Sequence, residues 1–222
     1  MKTNKYIQLL YAVILSVLLV CGCADKSGTY SGKMPEQLTE ADLLNNKAEI
    51  SRKNDTIFVK GKIVDFEIKD ENDAFRAVAS LADFMKIRDF NNEIRFESVS
   101  KDKFSATYIF SQYYQGLEVI GTRINLRADP ETNMANKLFC SYIPIDMDIT
   151  PEITIQKVSE IISKTYDSEL VHEPELKIYI DDSTPYLAWH ITAVKEPSEI
   201  WLNAKTGDII YAEYPADYFG GA

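Results

Sequence analysis

Only two histidines occur in the 222 residues, His172 and His190, and no His-Glu-x-x-His segment exists. A thermolysin-type zinc site takes both of its histidines and its general base from that segment on one helix, so the signature of that chemistry is missing. No glycine-rich phosphate loop and no Gly-x-Ser-x-Gly segment is present. The acidic groups Asp70-Glu-Asn-Asp73 and Asp181-Asp182 lack the spaced, glycine-turned order of a calcium loop, and read as helix caps and turns. The sequence therefore predicts no metal, no cofactor and no catalytic residue. A basic patch is missing as well: 34 acidic residues oppose 24 basic ones, for a formal net charge of −10. Nucleic acid and anionic headgroups both demand clustered cations, so neither is an expected ligand.

Cysteine is almost as scarce, with three in the chain. Lys2 and Lys5 precede an apolar run from Ile7 to Val20, too short to span a bilayer comfortably and suited to the core of a secretory signal. The run ends in Leu19-Val-Cys-Gly-Cys23, which resembles a bacterial lipobox. That resemblance implies a leader over residues 1–22 and a lipid, such as palmitate, on Cys23. An uncleaved anchor helix is the alternative, and the length of the run disfavours it. Asp25 does not directly follow Cys23, so the expected address is the outer membrane of a bacterial envelope. With Cys21 removed and Cys23 acylated, Cys140 has no partner for a disulfide. It lies in the strand-like Lys137-Leu-Phe-Cys-Ser-Tyr-Ile143 without a nearby base, so it reads as a small buried hydrophobe rather than a nucleophile.

What is present is a folding pattern. The apolar fraction is 45% and the charged fraction 26%, ordinary values for a globular chain. Residues 23–55 have few large apolar side chains and read as a tether, with a short helix over Glu40 to Ala48 behind Thr39 as its one candidate element. Thr56 to Ile68 reads as one or two strands about Gly61. A helix is expected from Ala74 to Ile87, placing Ala74, Val78, Leu81, Ala82 and Met85 on one face. Glu93 to Ser100 reads as another strand. The plainest signal runs from Phe104 to Ala128. There Phe104, Ala106, Tyr108 and Phe110 alternate with small polar residues, Gln115-Gly116 supplies a turn, and Ile124, Leu126 and Ala128 alternate with Arg123, Asn125 and Arg127. Tyr113 falls on the face opposite Tyr108 and Phe110.

Beyond Met147 a second unit begins. Thr154 is the expected N-cap of a helix whose buried stripe is Val158, Ile161, Ile162 and Thr165. Strands follow over Leu176–Ile180, Pro185–Val194, Glu199–Leu202 and Asp208–Tyr214, with Asn203 to Gly207 as a turn. His190 alternates with Leu187, Trp189 and Ile191 and is expected on the polar face. His172 lies in a connection.

The run Gln112-Tyr-Tyr-Gln-Gly-Leu-Glu-Val-Ile-Gly121 resembles the propeptide signature of thermolysin- and fungalysin-type metallopeptidases, with Glu118 where that family has proline. Leu187-Ala-Trp-His-Ile-Thr192 and Trp201-Leu-Asn-Ala-Lys-Thr-Gly-Asp-Ile-Ile210 are similar to the strand and hairpin of PepSY domains. The two motifs stand in the order found in those precursors. The resemblance implies an α+β fold of two small modules, each one helix on an antiparallel sheet of cystatin-like or PepSY-like form. The first spans residues 56–148 and the second 149–216, with a tail over 217–222. It also implies a non-catalytic lipoprotein that inhibits or helps to fold a secreted peptidase in trans. Tyr113 and the tail residues Asp217, Tyr218 and Phe219 are the candidate partner contacts. The alternative is a lipid-anchored scaffold or ligand-binding module with no peptidase target.

Overall fold

A computed structural model describes residues 28–30 and 32–214 of the chain. The leader, Cys23 and the tail residues Asp217, Tyr218 and Phe219 lie outside the described residues. The architecture is α+β: among the described residues there are five short helices and a mixed sheet of 11 strands. In chain order the strands are β1 (Gly28–Thr29), β2 (Glu49–Lys53), β3 (Thr56–Lys60), β4 (Ile94–Lys101), β5 (Ala106–Tyr114), β6 (Leu117–Ala128), β7 (Ala135–Ser141), β8 (Glu175–Asp181), β9 (Thr184–Thr192), β10 (Glu199–Asn203) and β11 (Ile209–Glu213). The helices are α1 (Glu40–Asn45), α2 (Glu71–Ala79), α3 (Ala82–Met85), α4 (Phe90–Glu93) and α5 (Ile155–Tyr166).

The β5–β6 hairpin forms as its alternation demands. Gln115 and Gly116 take φ of 48° and 88°, the paired positive values of a tight primed turn. At 12 residues β6 is the longest strand, and it serves three neighbours. β5 runs along one side. On the other, Arg123 to Ala128 pair antiparallel with β7, while Val119 and Ile120 pair parallel with β8 at Ile178 and Tyr179. The sheet therefore forks at β6. One branch continues through β7, β3 and β2, the other through β8, β9, β10 and β11.

Gly121 sits in the crotch of the fork. Its φ is +96°, and a Cβ there would stand 3.2 Å from the Ile180 Cβ. An alanine would combine a left-handed backbone penalty with a clash against β8. Gly121→Ala is expected to lower the unfolding free energy by about 1–3 kcal/mol, with amide exchange rising first at Ile178 and Tyr179. Unchanged protection of those two amides would refute the packing argument.

Two of the expected elements are corrected. The Ala74–Ile87 helix is two helices, α2 and α3, parted at Ser80 and Leu81. The break is held open by the segment before α1: Gln37 Nε2 donates to the Ala79 carbonyl at 2.9 Å, Gln37 Oε1 accepts from the Asp83 N–H at 3.1 Å, and the Leu38 N–H donates to the Ser80 carbonyl at 2.7 Å. These bonds satisfy groups that a continuous helix would have paired internally. All five residues of the expected stripe are nevertheless buried.

The same bonds correct the tether. The described part of residues 23–55 is folded: β1 edges β4, β2 pairs along its whole length with β3, and α1 begins with a capping box between Thr39 and Asp42. Leu43 is wholly buried in the core and Ile50 packs against it. A segment poor in apolar residues is thus tied down by a few of them, Tyr30, Leu38, Leu43, Ala48 and Ile50, together with backbone pairing.

In the second unit Thr154 caps α5 as expected, its Oγ1 accepting from the Lys157 N–H. Val158 and Ile162 are buried, but Thr165 is exposed. Tyr166 packs on the core instead, in the last turn before the left-handed cap at Asp167. Trp189 fixes the helix entry, its Nε1–H donating to the Ile153 carbonyl at 2.8 Å.

Candidate functional site: the helix-free face of the sheet

Strand parity carries across the fork. On β5, Tyr108 and Phe110 point into the core under α2, and Gln112 and Tyr114 follow on the same side. Val119 pairs with both Gln112 and Ile178, and Ile178 pairs with Leu187, so the apolar side of β8 and β9 continues that side. Leu187, Trp189, Ile191, Ile200 and Leu202 then form the core under α5. One face of the sheet thus carries both helix-covered cores. The opposite face is built from the alternate residues, and no helix among the described residues packs on it.

Gln112 and Tyr114, residues of the propeptide-like motif, point away from that open face. They clamp the linker between the two units. Gln112 Nε2 donates to the Ile143 carbonyl at 2.7 Å while its Oε1 accepts from the Ile143 N–H at 3.2 Å. The Tyr114 hydroxyl meets the Met147 carbonyl and N–H, each at 3.4 Å, and accepts from Gln115 Nε2 at 3.0 Å. The motif's polar side chains here are architectural, positioning the second unit against the hairpin tip.

The open face bears an aromatic stack on the second unit. Tyr179 of β8 and Trp201 of β10 lie with ring centroids 4.8 Å apart and planes 27° from parallel. Between them on β9 stands Ala188, with no side chain large enough to keep them apart. His190 stacks on the other side of Trp201 at 4.3 Å, and Tyr211 of β11 lies 6.3 Å from Tyr179. His190 is thus on the polar strand face, as parity predicts, yet it is a stacked ring rather than a loose surface group. Its Nε2 lies 3.3 Å from Glu199 Oε1, which also accepts from Trp201 Nε1 at 3.1 Å. His172 is exposed in its connection.

Next to the stack, Lys177 Nζ reaches Glu118 Oε2 at 3.0 Å and Glu175 Oε2 at 3.1 Å. Burial pulls the Lys177 ammonium down, but the two carboxylates outweigh it and hold its pKa above the ordinary lysine value. Glu118, the residue standing at the motif's proline position, therefore pins the hairpin to β8. Burial, with Asp181 nearby, raises the Tyr179 phenol, so the stack stays neutral on that side through the physiological range.

On the first unit the open face holds Tyr113, Arg95, Glu97, Arg123, Phe58 and Phe139. Tyr113 lies on the side opposite Phe110, but it is only 8% exposed, with the Arg95 guanidinium 3.8 Å from its ring centroid. Glu97 accepts from Ser111 Oγ at 2.8 Å and pairs with Arg123 at 3.6 Å. Phe58, half exposed, meets Phe139 edge to face at 5.1 Å. Alternation along β5 and β6 places Tyr113 and Arg123 here, but no sequence signal joins Tyr179, His190, Trp201 and Tyr211, which come from four strands.

Cys140 points the other way, into the first core, 1% exposed, and burial pushes its thiol up to about 12. A thiol so protonated is no nucleophile near neutral pH. Among the described residues no cluster of His, Cys, Asp and Glu is arranged to hold a metal ion, and no helix is long and apolar enough to cross a membrane. The face offers a broad, mixed aromatic and charged surface whose chemistry suits contact with another macromolecule.

No protein-family model and no curated protein matches the chain. Among solved structures, the chain is similar to the C-terminal domain of Bacillus megaterium YpeB, at 13% identity and a TM-score of 0.37, over 96% of this chain and 97% of that one.

Proposed function

We propose that the protein is a non-catalytic binding lipoprotein of the bacterial envelope, anchored through Cys23, whose helix-free sheet face docks on a secreted metallopeptidase to inhibit it or help it fold. The observation that carries this reading is the one-sided sheet: both helix-covered cores share one side, and an aromatic stack with flanking ion pairs occupies the other. The propeptide-like and PepSY-like motifs supply the partner class. The clamp from Gln112 and Tyr114 to the linker supports it, because a lid must hold its two units in one orientation to present a continuous surface. Asp217, Tyr218 and Phe219 are proposed to contribute to the same contact.

Full-length protein in detergent should inhibit a thermolysin-type zinc peptidase of its own organism in stoichiometric titration, or raise the yield of active enzyme when that peptidase refolds in its presence. Absence of both effects, with the peptidase active alone, would discard the peptidase as partner and leave the scaffold reading.

A further inference from the structure

Arg95 is held in place yet finds no acceptor among the described residues. Its guanidinium stacks on Tyr113 at 3.8 Å, which fixes the plane of the fork. Its Nε is buried and makes no hydrogen bond, and no hydrogen bond or ion pair from Arg95 is made among the described residues. Burying part of a guanidinium without an acceptor is unfavourable, and a preorganised fork is the geometry that takes a carboxylate through two parallel bonds.

Arg95 lines a cavity of about 490 Å³ with Asp89, Asn92, Glu93 and the turn residues Tyr114, Gln115 and Gly116. Each of its two carboxylates uses one oxygen within the protein: Asp89 Oδ2 accepts from Asn92 Nδ2 at 2.8 Å, and Glu93 Oε2 accepts from the Tyr142 hydroxyl at 2.5 Å. Among the described residues the second oxygen of each makes no hydrogen bond, and neither carboxylate ion-pairs with Arg95. The cavity therefore presents a cationic fork and two anionic acceptors held apart. A bare anion would meet Asp89 and Glu93, and a bare cation would meet Arg95. A molecule carrying a carboxylate beside an ammonium satisfies both.

We propose that this cavity at the hairpin tip is a binding site for a free α-amino acid, with Arg95 holding the carboxylate and Asp89 and Glu93 receiving the ammonium. The site is independent of the peptidase reading.

The test is an NMR titration of the full chain with the common free amino acids, with acetate, methylammonium and inorganic phosphate as half-ligands. At least one amino acid is expected to bind with a Kd of about 1 mM or below, shifting Gln115 and Gly116 amides, and each half-ligand to bind at least about tenfold more weakly. Arg95→Met should lose at least about tenfold in affinity at an unchanged melting temperature. Should that variant melt early, Arg95→Lys, which keeps the charge but lacks the fork, is expected to fold and still lose binding. The proposal is overturned if no amino acid binds at about ten times that concentration, if acetate or phosphate binds as tightly as the best amino acid, or if the folded Arg95 variants bind unchanged.

Discussion

Phe110→Ala is expected to destabilise the protein by about 3–5 kcal/mol, the largest loss from any single truncation of the first core. Phe110 is completely buried, and its ring meets Phe75 of α2 edge to face at 5.1 Å and Phe96 of β4 at 5.6 Å. Phe75 in turn packs on Phe90 at 6.5 Å. Removing the central ring leaves a cavity in a group of aromatic side chains that cannot collapse without moving α2 off the sheet, so the lost contacts add to the lost transfer energy. Denaturant unfolding, with the slope unchanged and the midpoint lowered, is the appropriate measurement. A loss below about 1 kcal/mol would mean that this core closes around the gap and that the α2 contact is looser than its geometry indicates.

Gln112→Ala is expected to cost about 1–3 kcal/mol, because it strips the partners from both the N–H and the carbonyl of the partly buried Ile143. Gln112 itself is 2% exposed, so water cannot readily replace the amide. The effect should also be directional. Amide exchange at Ile143 should accelerate more than at Leu126 in the strand centre, since the linker is freed before the hairpin opens. Uniform acceleration at both sites would show that Gln112 contributes only to global stability and does not set the position of the second unit.

The contrast between these two side chains shows what local pattern conveys. Phe110 was legible from the period of its strand, because burial on one face is written as simple alternation. So were the hairpin turn, the N-cap at Thr154, and the placement of Tyr113 and His190 on the side away from the apolar residues. The role of Gln112 was not legible, since its partner lies 31 residues away along the chain. Gln37 escaped for the same reason. Its bonds to Ala79 and Asp83 turn an unremarkable polar segment into the strap that splits a helix, and they come from sequence separations of 42 and 46. The aromatic stack occupies an intermediate position. Parity places Tyr179, His190, Trp201 and Tyr211 on one face, but only the β8–β9–β10–β11 order and the small Ala188 bring the rings together. Arg95 carried no signal, because an arginine facing solvent from a strand is what sequence alone leads one to expect.

The helix-free face is the central element of this account, and Tyr211 offers the most direct access to it. Tyr211 is 44% exposed at the edge of the stack, so Tyr211→Glu should fold with nearly wild-type stability while placing a charge in the proposed contact. The decisive measurement is the inhibition titration of the thermolysin-type peptidase by wild-type and Tyr211→Glu full-length protein, side by side with their melting temperatures. The account predicts equal melting and at least about tenfold weaker inhibition by the variant, a loss of about 1.4 kcal/mol or more at the interface. Equal inhibition by both proteins at equal melting temperature would contradict it, and would move the contact off this face of the sheet.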